Sequence, residues 1–243
     1  MEKIIETKNL GKLIIKQIDK QTAKELIIKN HYSHKWNDGG FGVYNFGVYS
    51  YDNPDKCLGC AVYGYMKNVK AKLISHPNPN AWMIELNRMW IDDTLGKNAE
   101  SLLIAHSIKM IKLLDKNIVA IQSFADGRLG CGTIYKASNF KYFGYHYTKF
   151  LKHKETGEIS HEQNFTNSTS KKRFIRSNIG FILQDWEIFR VKTYRYIYPL
   201  DKKVKIRFKE EPYPMYEKGQ ETVEWKRNIP LIKQRLKALI DEM

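Results

Sequence analysis

Short apolar stretches alternate with polar ones along the chain, and their period switches between two and about four residues. LIIKQI (13–18) reads as a strand and TAKELIIKN (22–30) as a helix with Leu26 and Ile27 on one face. HYSHKWNDGG follows as a loop closed by an Asp-Gly-Gly turn at 38–40. FGVYNFGVYS (41–50) then alternates and pairs, across YDNPDK, with LGCAVYGYM (58–66) as a hairpin. AKLISHPNPNA carries prolines at 77 and 79 and reads as a loop. AWMIELNRMWI (81–91) is apolar on both faces except at Glu85, Asn87 and Arg88, which marks a central strand. A long helix begins at Asn98, its N-cap, with Ile104, Ile108, Ile111 and Leu114 at helical spacing. NIVAIQSFA (117–125) is a buried strand, GTIYKAS a short helix and KYFGYHYTKFL (141–151) another strand.

This order predicts an α/β fold with a mixed sheet. Residues 152–190 are weakly patterned, VKTYRYIYPL and KVKIRF read as strands, and NIPLIKQRLKALIDEM as a final amphipathic helix that packs on the body or on a second copy, a homodimer. The expected divisions are a core over 1–151, an extension over 152–209 that completes the sheet, and a tail with its helix over 210–243.

Composition narrows the class. With 42% hydrophobic and 13% aromatic residues, the 243-residue chain can bury a real core, which excludes general disorder. No run approaches the roughly 18 apolar residues of a membrane span, and MEKIIETKNLGK lacks the apolar core of a signal peptide, so a cytoplasmic protein with no membrane partner is expected. Three cysteines make no disulfide framework, and CLGC lacks the second pair a closed zinc site needs. The net charge of +15 is uneven: residues 151–209 hold 14 Lys and Arg against 6 Asp and Glu, residues 1–150 hold 21 against 13, and residues 210–243 hold 6 against 7. A polyanion is the natural partner of the basic middle, because each neutralised phosphate releases counterions.

The chemistry-bearing residues concentrate in three segments. SFADGRLGCGTIYKASNF (123–140) sets Asp126 and Tyr135 among small residues just after a strand, where side chains project into a crevice. NHYSHKW (30–36) and IELNRMWID (84–92) are placed to meet it. Gly96, Asn98 and Ser101 surround a helix start whose dipole favours phosphate or an oxyanion; Ser101 can donate to an acyl oxygen or satisfy a local carbonyl. Arg88, in an apolar strand, needs a partner. Glu85 falls on the opposite face of a regular strand, so Asp126 is the expected partner, unless Arg88 clamps a substrate anion. His31 and Tyr32 offer an imidazole and a phenol for proton transfer. His31 with Asp126 could hold a metal, with His34 as a third ligand to approach the set typical of non-haem iron. Lys171, Lys172, Arg173 and Arg176 around Phe174, and Lys192 and Arg195 among Tyr194, Tyr196 and Tyr198, interleave cations with rings, as phosphate contact and base stacking require. The same pattern describes a strand with rings inward and cations in water.

HY at 31–32, ELNR at 85–88, N-x-x-S at 98–101, AD at 125–126 and GTIYKASNF at 132–140 together resemble the Mom family of phage DNA-modification proteins over about residues 25–150. The resemblance implies a fold related to the Gcn5-type N-acetyltransferases, a mixed central sheet flanked by helices with a basic C-terminal extension. It implies conversion of adenine in DNA to N6-carbamoylmethyladenine, which protects phage DNA from restriction in the host cytoplasm. It places iron at His31 and Asp126, and catalytic roles at Tyr32, Arg88, Ser101 and Tyr135. Two positions depart from the family pattern. Cys131 stands where His is expected, and DTLGKNAES lacks the second glycine of an acetyltransferase pyrophosphate loop. The donor therefore stays open between acetyl-CoA, an aminoacyl donor and another small molecule. Two further functions fit the residues: an acyltransferase acting on a small amine, a protein or an aminoacyl-RNA, and a non-catalytic nucleic-acid-binding anti-defence protein.

Overall fold

The structure, a computed structural model, describes residues 1–68, 72–162 and 185–216, and a few positions beyond. Strands β1 (Glu2–Thr7) and β2 (Gly11–Gln17) form a hairpin, helix α1 (Lys20–Asn30) follows, and β3 (Tyr44–Ser50) and β4 (Cys57–Tyr65) form a second hairpin. The two-residue strand β5 (Ile74–Ser75) interrupts the proline-rich loop. Then come β6 (Trp82–Ile91), helix α2 (Ala99–Leu114), β7 (Ile118–Asp126), the short helix α3 (Thr133–Ala137) and β8 (Lys141–His153). β9 (Ile159–His161), β10 (Trp186–Pro199), β11 (Lys205–Ile206) and β12 (Val223–Glu224) complete the order.

One large sheet runs β1-β2-β3-β4-β6-β7-β10-β8-β9, with β12 also on β10 and with β5 and β11 paired separately. Every pairing in it is antiparallel except β6 with β7. The helix between β6 and β7 dictates that exception, since parallel neighbours need a crossover. β10 enters between β7 and β8, so residues from 186 onward fill the sheet, and β8 runs unbroken across residue 151.

The sheet is covered on both faces, the mixed α/β arrangement expected. Against one face α2 buries Leu103, Ile104 and Ile111 on Ile84, Leu86 and Ile121, in a cluster that includes Tyr135 and Tyr196. On the other, α1 seats Ala23 and Ile27 on Cys60 and Val62, and Met83, Ala120, Phe143 and Ile197 form a third cluster. Asp19 caps α1 by accepting from the Thr22 amide at 2.8 Å.

Several local expectations need correction. Asn98 sits at the start of α2 with φ 74° and makes no side-chain cap bond. Leu114, at the helix end, is 39% exposed. β1 has no fully buried residue, only Ile5 packing partly buried on the main core, which hid it from the hydrophobic pattern; Ile4 is half-exposed. KVKIRF yields only the two residues of β11. The final helix expected over 228–243 lies outside the described residues except at three helical positions, 234, 237 and 241. Among the described residues no helix is long and apolar enough to cross a membrane.

Candidate active site

β6 and β7 pair only from Trp82 to Glu85 and from Ile118 to Gln122, although β6 continues to Ile91 and β7 to Asp126. Beyond that point they diverge and leave a crevice of about 410 Å³, into whose wall His31, Tyr32, Arg88, Asp126 and Tyr135 all enter. A second cavity of about 470 Å³ takes Gly96, Asn98 and Ser101. The two adjoin, sharing Ile91, Glu100, Thr133 and Ile134.

A bulge aims Arg88. Val62 pairs with Arg88 and Tyr63 with Leu86, so Asn87 is an extra residue in β6. The extra residue shifts the alternation: Leu86 stays in the main core, while Arg88 emerges on the α1 face with Val62 and Glu85. The expected separation of Arg88 from Glu85 on opposite faces therefore does not occur. Arg88 Nη1 donates to the Asn87 carbonyl at 2.7 Å, its guanidinium lies 4.8 Å from the Phe41 ring centroid, and its Nε is buried with no partner among the described residues. Burial pulls its pKa down while Tyr32 and Glu85 oppose the shift. Glu85, half-buried, accepts from Gln122 at 3.1 Å and from Asn87 at 3.3 Å, and desolvation pushes its carboxyl up.

Asp126 does not pair with Arg88. Its partner is Arg128, whose Nε lies 3.0 and 3.1 Å from the two carboxylate oxygens and whose backbone N–H donates to Oδ1 at 3.0 Å. The tight turn after β7 brings the two side chains together, and the Arg128 guanidinium also covers the Phe150 ring at 4.3 Å.

Tyr135, only 8% exposed, stacks on Tyr196 at 5.1 Å. Its hydroxyl lies 2.9 Å from Ser123 Oγ, which is itself 2.9 Å from the Leu86 carbonyl, and burial pushes the phenol up to about 12. The Gly-Cys-Gly segment before it bends sharply, with φ 122° at Gly130 and 90° at Gly132, values that favour glycine. Cys131 is buried in the main core and its carbonyl accepts from Tyr196.

Tyr32 is 55% exposed at the mouth, and its phenol is raised by desolvation and by the Asp126 carboxylate. His31, 7% exposed, caps the C-terminus of α1. Burial and the neighbouring Arg88 bring its pKa down to about 4. Its Nδ1 accepts from the Ser33 backbone N–H at 3.1 Å, which leaves the ring proton on Nε2. Ser101 Oγ donates to the Asn98 carbonyl at 3.1 Å and so satisfies a local carbonyl, and Gly96 turns with φ 71°.

The residues expected to hold iron do not fit it. A metal-bound histidine donates through its other ring nitrogen, whereas His31 accepts there. Both Asp126 oxygens are engaged by Arg128; His34 alone, whose Nδ1 donates to the Ile28 carbonyl at 2.9 Å, has the ring orientation of a ligand. Among the described residues no group of three His, Cys, Asp or Glu side chains converges.

Lys171, Lys172, Arg173 and Arg176 lie outside the described residues. Of the two cations expected on β10 to meet nucleic acid, Arg195 turns inward, 3.8 Å from the Phe208 ring centroid and 5.5 Å from that of Phe124, with its Nε buried. Lys192 lies over the Tyr145 ring, half-buried on the face it shares with Tyr194, and Tyr194 and Tyr196 are core residues. Two contributors were missed in the sequence. Arg128 was signalled by its Asp-x-Arg spacing across a turn, and Ser123 by its place two residues before the inward-facing Ala125.

The sequence pattern of the Mom protein family matches residues 12–215, well past the span that carries the motifs. The chain is similar to the methylcarbamoylase mom of Escherichia phage Mu, with 31% identity over 204 residues, 79% of each chain. Among solved structures it is similar to the ribosomal-protein-S5-alanine acetyltransferase from Vibrio fischeri, with TM-score 0.44, 11% identity and coverage of 83% of this chain and 98% of that one. It is also similar to NAA60 of Arabidopsis thaliana in complex with a bisubstrate analogue, with TM-score 0.46, 9% identity and coverage of 77% and 97%. Neither structural likeness bears on chemistry at such identities and TM-scores. The family match over most of the chain, together with the phage Mu relative, establishes that the chain belongs to the Mom protein family.

Proposed function

We propose that the protein is a phage-type DNA modification enzyme of acetyltransferase-like fold that converts adenine to N6-carbamoylmethyladenine or a related N6 adduct and so protects DNA from restriction. The observation that carries this reading is the convergence of His31, Tyr32, Arg88, Asp126 and Tyr135, distant in sequence, on one crevice beside a second cavity. Family membership supplies the substrate class.

The chemistry asks for such a site. The adenine amine is conjugated to its ring and nucleophiles of this kind react only when aligned with the donor, relieved of a proton and matched by stabilisation of charge on the donor. Tyr32 and Tyr135, both raised, keep their protons at neutral pH and serve as hydrogen-bond donors and relays. Arg88, with an unpartnered Nε, holds an anionic or carbonyl group of substrate or donor. Asp126, fixed by Arg128 at the crevice wall, orients the adenine amine by accepting a hydrogen bond from it. The neighbouring cavity beside the start of α2 suits the donor. A base inside a duplex must first be extruded to reach the crevice.

Expression in a bacterium, hydrolysis of its DNA to nucleosides and mass spectrometry test the reading. A modified deoxyadenosine, absent with Asp126→Ala and Tyr135→Phe, is the expected result. Unmodified DNA from cells containing soluble protein overturns it and leaves the acyltransferase and binding-only functions.

A further inference from the structure

β7 ends at Asp126, opposite Thr193, and from there toward Trp186 strand β10 continues beside β8 without β7. The two strands thus run past the crevice as a ribbon, joined further out by β12 on β10 at Phe189 and Arg190 and by β9 on β8 from Phe150. Gly127 ties its root down: its N–H donates to the Lys192 carbonyl at 2.8 Å, and a Cβ there would stand 2.5 Å from that oxygen. Cross-strand partners share a face, so Tyr145 with Tyr194, Tyr147 with Lys192, and Lys149 with Arg190 line one side. None of these six is acidic. Lys149 reaches Glu162 at 3.5 Å, and Lys192 Nζ lies 5.2 Å from the Tyr145 centroid. Tyr145 and Tyr147 are 50% and 43% exposed, edge to face at 5.6 Å. Large rings left in water between cations are costly for the protein alone and suit a partner that offers flat rings beside phosphates.

We propose that this face of the ribbon holds the DNA strand next to the target adenine, Tyr145 and Tyr147 stacking on an unpaired base and Lys192 and Arg190 meeting phosphate. The proposal rests on the DNA reading above and adds its contact surface. The proposed face is continuous with Ala125, which shares the main core with Tyr194 and Tyr135 and lines the crevice, while Asp126, opposite Thr193, emerges on the other face; a strand gripped there delivers an extruded neighbour to the Tyr135 side of the crevice.

Fluorescence anisotropy with a short adenine-containing single strand, and with its duplex, at a series of salt concentrations tests it on the full chain. Tyr145→Ser with Tyr147→Ser is expected to weaken single-strand binding on the order of tenfold without changing the salt dependence. Lys192→Gln with Arg190→Gln is expected to weaken binding and to flatten the slope of log K against log salt by about 0.7 per charge removed. Thermal melts confirm that each variant is folded. Folded variants with wild-type affinity and slope, from a wild type that binds, overturn the ribbon assignment and leave the DNA reading standing. A wild type with no salt-dependent affinity for either probe overturns both.

Discussion

Arg128 grips Asp126 through both carboxylate oxygens, with Nη2 2.5 Å from Oδ2, in side chains only 23% and 14% exposed. Burial works against the guanidinium's charge, yet the bonds to Asp126 outweigh it and raise its pKa. Removing one partner of a fully buried pair costs about 3–5 kcal/mol, because the other charge is left uncompensated. Partial exposure reduces this, and Arg128→Ala is expected to lower the unfolding free energy by about 1–3 kcal/mol. Urea denaturation checks it. The double variant with Asp126→Ala should lose less than the sum of the single losses, the signature of direct coupling.

Acid should weaken the fold before its carboxylates titrate. His31 and His106 have folded pKa values of about 4, below the usual 6.5. Both are held neutral in the fold, while the unfolded chain takes up their protons. The stability they protect is complete above pH 6.5 and is lost as pH falls toward 4. His146 and His161 shift the same way. The urea midpoint should therefore fall between pH 7 and pH 4.5, and His31→Asn, which keeps an acceptor for the Ser33 amide, should reduce that fall.

The two crevice tyrosines separate chemistry from stability. Tyr32→Phe removes a hydroxyl from a half-exposed ring and should leave the melting temperature unchanged. Tyr135→Phe loses the contact with Ser123 and should cost about 1 kcal/mol. If both phenols move protons, each variant should lower the yield of modified deoxyadenosine about a hundredfold or more, the scale of lost acid–base catalysis. Full modification by either variant removes that phenol from the mechanism.

Gly132→Ala should be far worse than Gly11→Ala. A Cβ at Gly132, at φ 90°, would stand 2.6 Å from the Tyr196 ring and 3.1 Å from Tyr135, whereas at Gly11, at φ 66°, it would meet nothing. The first combines backbone strain with overpacking, about 2–4 kcal/mol, and the second carries strain of about 1 kcal/mol. Calorimetric melts of the two variants compare these costs directly.

Much of this architecture is legible in the sequence because burial imposes its period on residues. α1, β6, α2 and β7 all carry that pattern, and the crevice residues cluster where strands and helices meet. The Asn87 bulge leaves no such mark. It depends on the register of β4, and it reversed the face assigned to Arg88. Arg195 was equally hidden: an inward cation between Phe124 and Phe208 reads along the chain like an outward one. The Asp126 partner lay two residues away, overlooked because a distant strand offered an arginine of its own.

The placement of β10 between β7 and β8 also sets an order on assembly. Until residue 199 has been made, β7, the wall of the crevice, presents an unpaired backbone edge over the length that β10 will cover. Such an edge is a template for association with other chains. The growing polypeptide must therefore hold its reactive site incomplete until a strand that begins some sixty residues after Asp126 closes it, so that maturation of the site waits on the basic segment that follows it.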